Sequence, residues 1–149
     1  MRKFIFITLA AAFFALSASA DDGLSVKSFR WKDGDYVGDA TKNVPNGKGR
    51  LIMGNGDIYE GDFVKGKRQG YGILTLKSGE KYEGQWFQDL QHGRGVYYAL
   101  NNNRYDGLWF KNTKDGQGIM YYYNGDVYNG SWKEDKRVGQ GTYTYKSGA

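Results

Sequence analysis

The chain has 149 residues, a formal net charge of +5 and no cysteine, which excludes disulfides, thiol catalysis and cysteine-based metal centres. Glycine fills 23 positions and aromatic residues 17% of the chain, and glycine costs ~1 kcal/mol at each interior position of a helix. No stretch of the body shows apolar residues at helical spacing, so the composition excludes a helical bundle and points to strands joined by tight turns.

In chain order, Arg2 and Lys3 precede an apolar run from Phe4 to Leu16, and Ala18, Ser19 and Ala20 follow before Asp21 and Asp22. A basic start, an apolar middle and a small-x-small end mark residues 1–20 as a secretory signal peptide, and a membrane span would need a longer run of ~20 apolar residues. Cleavage after Ala20 leaves 149 minus 20, or 129, residues with a formal charge of 19 minus 16, or +3. The mature chain is then expected outside the cytoplasm, periplasmic or secreted. Residues 21–35 contain Phe29 and Trp31 followed by Lys32, Asp33, Gly34 and Asp35, which reads as half of a hairpin capping the strand after it.

From residue 36 the chain repeats itself. Tyr36, Tyr59, Tyr82, Tyr105 and Tyr128 are each 23 residues apart, which divides the rest into 36–58, 59–81, 82–104, 105–127 and 128–149. Two residues after each Tyr stands a glycine (38, 61, 84, 107, 130), and four after it Ala40, Phe63, Trp86, Trp109 or Trp132. Glycines recur eleven and thirteen residues after the Tyr, at 47 and 49, 70 and 72, 93 and 95, 116 and 118, 139 and 141. A last column, Gly56, Gly79, Gly125 and Gly148, is broken by Asn102, a residue that tolerates the left-handed conformation. Seven after each Tyr come Asn43, Gly66, Asp89, Asn112 and Asp135, residues that accept positive φ in tight hairpins.

This pattern predicts an all-β fold, an elongated, twisted single-layer antiparallel meander of about ten strands in five hairpins. Side-chain alternation puts the Tyr, the glycine two after it and the Trp or Phe on one face. The two later glycines share a parity, so rings are expected to lie over bare backbone, a known stabilising arrangement in sheets. The predicted ladder is Tyr36, Tyr59, Phe63, Tyr82, Trp86, Tyr105, Trp109, Tyr128 and Trp132.

The unit Y-x-G-x-W followed by G-x-G resembles the MORN (membrane occupation and recognition nexus) repeat family over residues 36 to 148. Ala40 in place of an aromatic marks the first unit as a divergent terminal repeat. The resemblance implies a non-catalytic scaffold associated with protein assemblies and with anionic lipid.

Residues that could carry chemistry read mainly as structural. His92 stands in an expected loop without an orienting partner or a nucleophile. Carboxylates one residue after Tyr (Glu60, Glu83, Asp106) or three after it (Asp39, Asp62) recur with the repeat, which suits cross-strand charge pairing with Lys48 and Arg94. Gly54-Asn55-Gly56-Asp57 lacks the nine-residue period of calcium-binding repeats, and the Asn129-Gly130-Ser131 acceptor sequence lies within a strand. Neither a metal nor a cofactor is expected, and the signal peptide argues against a nucleic-acid platform of rings and cations. The loops after the Trp or Phe hold eight Lys or Arg and four Asp or Glu. Their cations, Lys42, Lys65, Lys67, Arg68, Lys111, Lys114, Lys136 and Arg137, are the candidate binding edge, for a protein partner or an anionic lipid surface. Glycan binding by exposed rings is the alternative, and the last strand, expected to be unpaired on one side, offers a route to self-association.

Overall fold

The computed structural model describes residues 25–147, and the expected leader lies outside them. The strands are β1 (Ser25–Trp31), β2 (Gly34–Thr41), β3 (Val44–Ile52), β4 (Ile58–Val64), β5 (Lys67–Thr75), β6 (Lys81–Phe87), β7 (Leu90–Tyr98), β8 (Arg104–Phe110), β9 (Thr113–Tyr121), β10 (Val127–Lys133) and β11 (Lys136–Thr144). They form one open antiparallel sheet in sequential order, and no helix occurs among the described residues. Five hairpins supply ten strands; the eleventh is β1, which pairs with β2 from Trp31↔Gly34 to Ser25↔Ala40.

Both kinds of connection follow from their residues. The hairpin tips Lys42-Asn43, Lys65-Gly66, Gln88-Asp89, Lys111-Asn112 and Glu134-Asp135 have positive φ at both positions, the backbone twist that joins right-twisted strands through a two-residue turn. In the connections between repeats, Gly56, Gly79 and Gly125 also have positive φ, and Asn102 takes the same conformation at 63°.

The rings lie where the alternation puts them. Tyr36, Tyr59, Tyr82 and Tyr105 are between 0 and 2% exposed, and Trp86, Trp109 and Trp132 between 4 and 6%. Each Tyr lies over the second glycine of the G-x-G in its own repeat: a Cβ on Gly72 would sit 2.2 Å from the Tyr59 hydroxyl, and one on Gly95 2.4 Å from that of Tyr82. The Tyr hydroxyl donates to a carbonyl three residues on, Gln85 in the third repeat at 2.9 Å and Leu108 in the fourth at 2.9 Å. Each Trp ring meets two Tyr rings edge-on, its own and the preceding one; Trp109 is 5.1 Å from Tyr82 and 5.4 Å from Tyr105. Such contacts contribute ~0.5 to 1.5 kcal/mol each beyond burial. The indole N–H groups of Trp86, Trp109 and Trp132 donate to the carbonyls of Gly72, Gly95 and Gly118, each at 3.1 Å, binding a repeat to the one before it.

Two expectations change. The first glycine of G-x-G does not share the ring face. It occupies a β-bulge with positive φ (Gly47, Gly70, Gly93, Gly116, Gly139), and a Cβ on Gly47 or Gly70 would meet Asp39 or Asp62 on the opposite side. From Arg68 to Gly72 four steps of β5 face two of β4, and the two extra residues of the bulge break simple alternation. His92 is not in a loop but in β7, its ring 5.8 Å from Phe87 and 5.3 Å from Phe110.

Candidate functional site

On the ring-bearing face two rows of side chains stand as walls on either side of the Tyr rings, and the strip between them is the trench. Its floor is the row of Tyr rings over glycine. One wall carries the Trp or Phe with the residues nine after each Tyr (Pro45, Arg68, Gln91, Lys114, Arg137). The other carries residues fifteen and seventeen after it (Leu51 and Met53, Leu74, Tyr97, Met120 and Tyr122, Tyr143). Side chains from the two walls meet above the floor: the Arg137 guanidinium lies 5.5 Å from the ring centres of both Tyr122 and Tyr143, and Tyr97 packs against Trp109 at 6.3 Å.

The eight candidate cations do not form one edge. Lys42, Lys65 and Lys111 occupy exposed hairpin tips at the same place in their repeats, with Gln88 and Glu134 at the equivalent places. Lys67 and Lys136 open β5 and β11 opposite Val64 and Lys133, on the face away from the rings. Arg68, Lys114 and Arg137 enter the trench. Arg68 lies 4.4 Å over Trp86, Lys114 5.6 Å from Tyr105 and 5.7 Å from Trp132, and Arg137 4.6 Å over Tyr128. Cations over rings gain ~0.5 to 2 kcal/mol as they lose water, so the half-buried Arg68 and Lys114 are fixed features of the wall, while Arg137 stays exposed over its rings.

A second set of contacts holds the wall in register. In the later junctions, the residue nine after Tyr exchanges two hydrogen bonds with the residue seven after the next Tyr. Arg68 N–H donates to Asp89 Oδ1 at 2.9 Å while Asp89 N–H donates to the Arg68 carbonyl at 3.0 Å. Gln91 with Asn112, and Lys114 with Asp135, repeat the exchange. The Arg68 side chain adds bonds to Asp89 Oδ1 at 3.2 Å and to its carbonyl at 2.9 Å. Asp89, Asn112 and Asp135, turn formers by sequence, thus also join one repeat to the next. The missed signal is in the first junction, where Pro45 has no N–H to give and Gly66 no side chain to receive one; the surviving bond runs from Gly66 N–H to the Pro45 carbonyl at 2.8 Å.

The carboxylates are also occupied. Asp39 and Asp62 accept the bulge N–H groups of Lys48 and Tyr71 at 3.0 and 3.2 Å, and Gln85 does the same for Arg94. Lys48 pairs with Asp62 at 2.6 Å and Arg50 with Glu60 at 3.5 Å, whereas Arg94 forms no ion pair among the described residues. Burial, with help from neighbouring carboxylates at Tyr36, Tyr59 and Tyr105, raises the phenols of Tyr36, Tyr59, Tyr82 and Tyr105 well above their ordinary range. Burial and the hydrogen bond to Glu80 push Tyr97 up to about 12.

An open, single-layer array of hairpins tied together by rings, with a trench along one face, defines a β-repeat scaffold. The MORN repeat family matches the chain at 36–58, 59–81, 82–104, 105–127 and 128–149, and the chain belongs to that family. Among solved structures, one that it resembles is the SAS-4 (dCPAP) TCP domain in complex with a proline-rich motif of Ana2 (dSTIL) of Drosophila melanogaster. The TM-score is 0.48 at 13% identity, over 94% of this chain and 83% of that one. No curated protein matches the chain.

Proposed function

We propose that the protein is an exported, non-catalytic scaffold that receives a protein partner in its trench. The observation that carries this reading is the trench wall: Arg68, Lys114 and Arg137 are held over rings while half-buried apolar side chains face them. A fixed surface of this kind binds without first ordering its side chains. The recurrent carboxylates are spent on bulge N–H groups and ion pairs, and His92 lies between two rings, which supports a non-catalytic role. Glycan stacking loses its platform because the ladder rings are at most 7% exposed.

The test is photo-crosslinking in the compartment where the protein resides, with the crosslinker at Leu74 or Met120 in the trench or at Val96 on the opposite face. Trench positions should capture one polypeptide that Val96 does not. Capture from Val96 alone, or from none of them, overturns the reading. The N-terminus of the mature chain should be Asp21; a retained Met1 would remove export.

The tip lysines support a peripheral contact with anionic lipid. With ~1 kcal/mol per lysine, replacing Lys42, Lys65 and Lys111 with Ala should weaken sedimentation with phosphatidylserine vesicles roughly a hundredfold at low salt. The triple variant Arg68→Ala, Lys114→Ala, Arg137→Ala should change it little. The reverse pattern would place lipid in the trench.

A further inference from the structure

The first junction of the array differs from the others at several places. Position four after the Tyr holds Phe63 where the next three repeats hold Trp, and the facing residue is Leu51 where the third repeat has Tyr97. Tyr97 and Trp109 fill the space between the walls; between Leu51 and Phe63 a cavity of about 170 Å³ remains. Met53 and Trp31 complete its apolar lining. Trp31 reaches from β1 across the trench to the hairpin tip of the second repeat, where a Cβ on Gly66 would lie 2.5 Å from the indole. Pro45 and Gly66 make room for that indole by leaving out the side-chain bond found at the later junctions.

We infer that this cavity is a socket for one large apolar side chain, of leucine or phenylalanine size, on an uncharged segment of the protein partner. The inference rests on the trench reading above and names the place where the partner is anchored. The volume suits one such side chain entering from the open side, and a few large anchor residues carry most of the binding energy between proteins. The charges at the rim cancel: Arg68 is tied to Asp89 at 3.2 Å, and Lys32 sits beside Asp33. A rim of balanced charge offers a charged segment no compensation for its lost water, so it selects against one.

Phe63→Trp separates this role from a structural one. The added ring should occupy the cavity, and its N–H should reach the Gly49 carbonyl as Trp86 reaches that of Gly72. Better packing should raise Tm by about 3 to 6 °C, while the socket disappears. The probe is a set of displayed libraries of random uncharged peptides carrying Leu, Phe or Ala at one fixed position, selected against the full mature chain. The Leu and Phe libraries should yield binders and the Ala library none. Those binders should lose about tenfold or more in affinity for Phe63→Trp, and their affinity should be indifferent to salt. Met53→Trp, which fills the same space from the opposite wall, should act alike and covers the case of a misfolded first variant.

Binders that recognise both filled variants as well as the natural chain overturn the socket and leave the trench reading standing, and equal recovery from the Ala library does the same. No binder from any library also overturns the socket, and the crosslinking experiment then decides the trench separately. If the natural chain self-associates and Phe63→Trp abolishes it, the occupant is a second copy and the partner assignment falls.

Discussion

Gly95→Ala isolates the contact on which the fold depends. The new methyl would sit 2.4 Å from the Tyr82 hydroxyl and 2.6 Å from two of its ring carbons. The ring cannot swing aside, because Trp86 and Trp109 hold it edge-on at 5.2 and 5.1 Å. If the ring stays, strain of ~1 to 3 kcal/mol results. If it leaves, two aromatic contacts at ~0.5 to 1.5 kcal/mol each are lost, together with the hydroxyl bond to Gln85 at ~0.5 to 1.5 kcal/mol. The cheaper route sets the cost, about 1 to 3 kcal/mol, read as a lower urea midpoint at unchanged slope. The second arm uses Tyr82→Leu, whose side chain stops short of the glycine. In that background the same alanine should cost under about 1 kcal/mol, since alanine orders more readily than glycine in a strand, leaving a coupling of about 2 kcal/mol. An equal cost in both backgrounds would show that the glycine is needed for the backbone alone, and would refute the account of ring over glycine.

Three further predictions test the junctions and the phenols. Trp109→Phe removes the N–H bonded to the buried Gly95 carbonyl and should cost about 2 to 3 kcal/mol in urea unfolding, made up of an unpaired carbonyl and lost packing. A loss under ~0.5 kcal/mol would mean that water replaces the indole. Asp89→Ala deletes the acceptor of Arg68 N and Nε at a residue with φ of 71° and should cost about 2 to 4 kcal/mol, whereas Asp89→Asn, as at Asn112, should cost under about 1 kcal/mol. Equal losses would assign the effect to charge. The phenols of Tyr36, Tyr59, Tyr82 and Tyr105 are raised on folding, by burial first. Their contribution is complete below the unfolded value of about pH 10 and is lost as pH climbs toward the folded values, at ~1.4 kcal/mol per unit for each. Circular dichroism should therefore show unfolding above about pH 10, with those four phenols ionising in the same transition. Ionisation of all thirteen tyrosines with the sheet intact would contradict the burial argument.

The floor of the trench could be read from the chain because its requirements are local and recur with the period. A ring over glycine two and thirteen residues away leaves a column in the sequence, as does positive φ at Asp89 or Asn112. Two things were hidden by the same regularity. The bulge at Gly70 adds two residues between Arg68 and Gly72, so those two keep the ring face while Gly70 between them turns away from it, and glycine at both places in G-x-G gives no hint that one answers to backbone conformation and the other to a ring. The basic loops were legible as composition but not as geometry. Lys65, Lys67 and Arg68 are near neighbours in sequence, yet a two-residue turn followed by a strand sends them to the tip, the outer face and the trench.

Stability and recognition are assigned to different positions of one repeat. The floor tolerates no variation, since Tyr59 and Gly72 define each other's shape, and every unit repeats that pair. The walls need only keep neighbouring hairpins in register, which Arg68 with Asp89, Gln91 with Asn112 and Pro45 with Gly66 do by three different chemistries. A wall free to vary can build one site without weakening the rest, because each repeat contacts only its neighbours. The first junction fits this logic: with Phe63 for Trp, and Leu51 where the third repeat has Tyr97, it forgoes an indole bond and ring packing, and it keeps an opening at the place where Tyr97 meets Trp109 further along. Natural chains give up stability of this kind mainly at functional sites. Phe63→Trp should therefore stabilise the fold and remove the interaction in the same step.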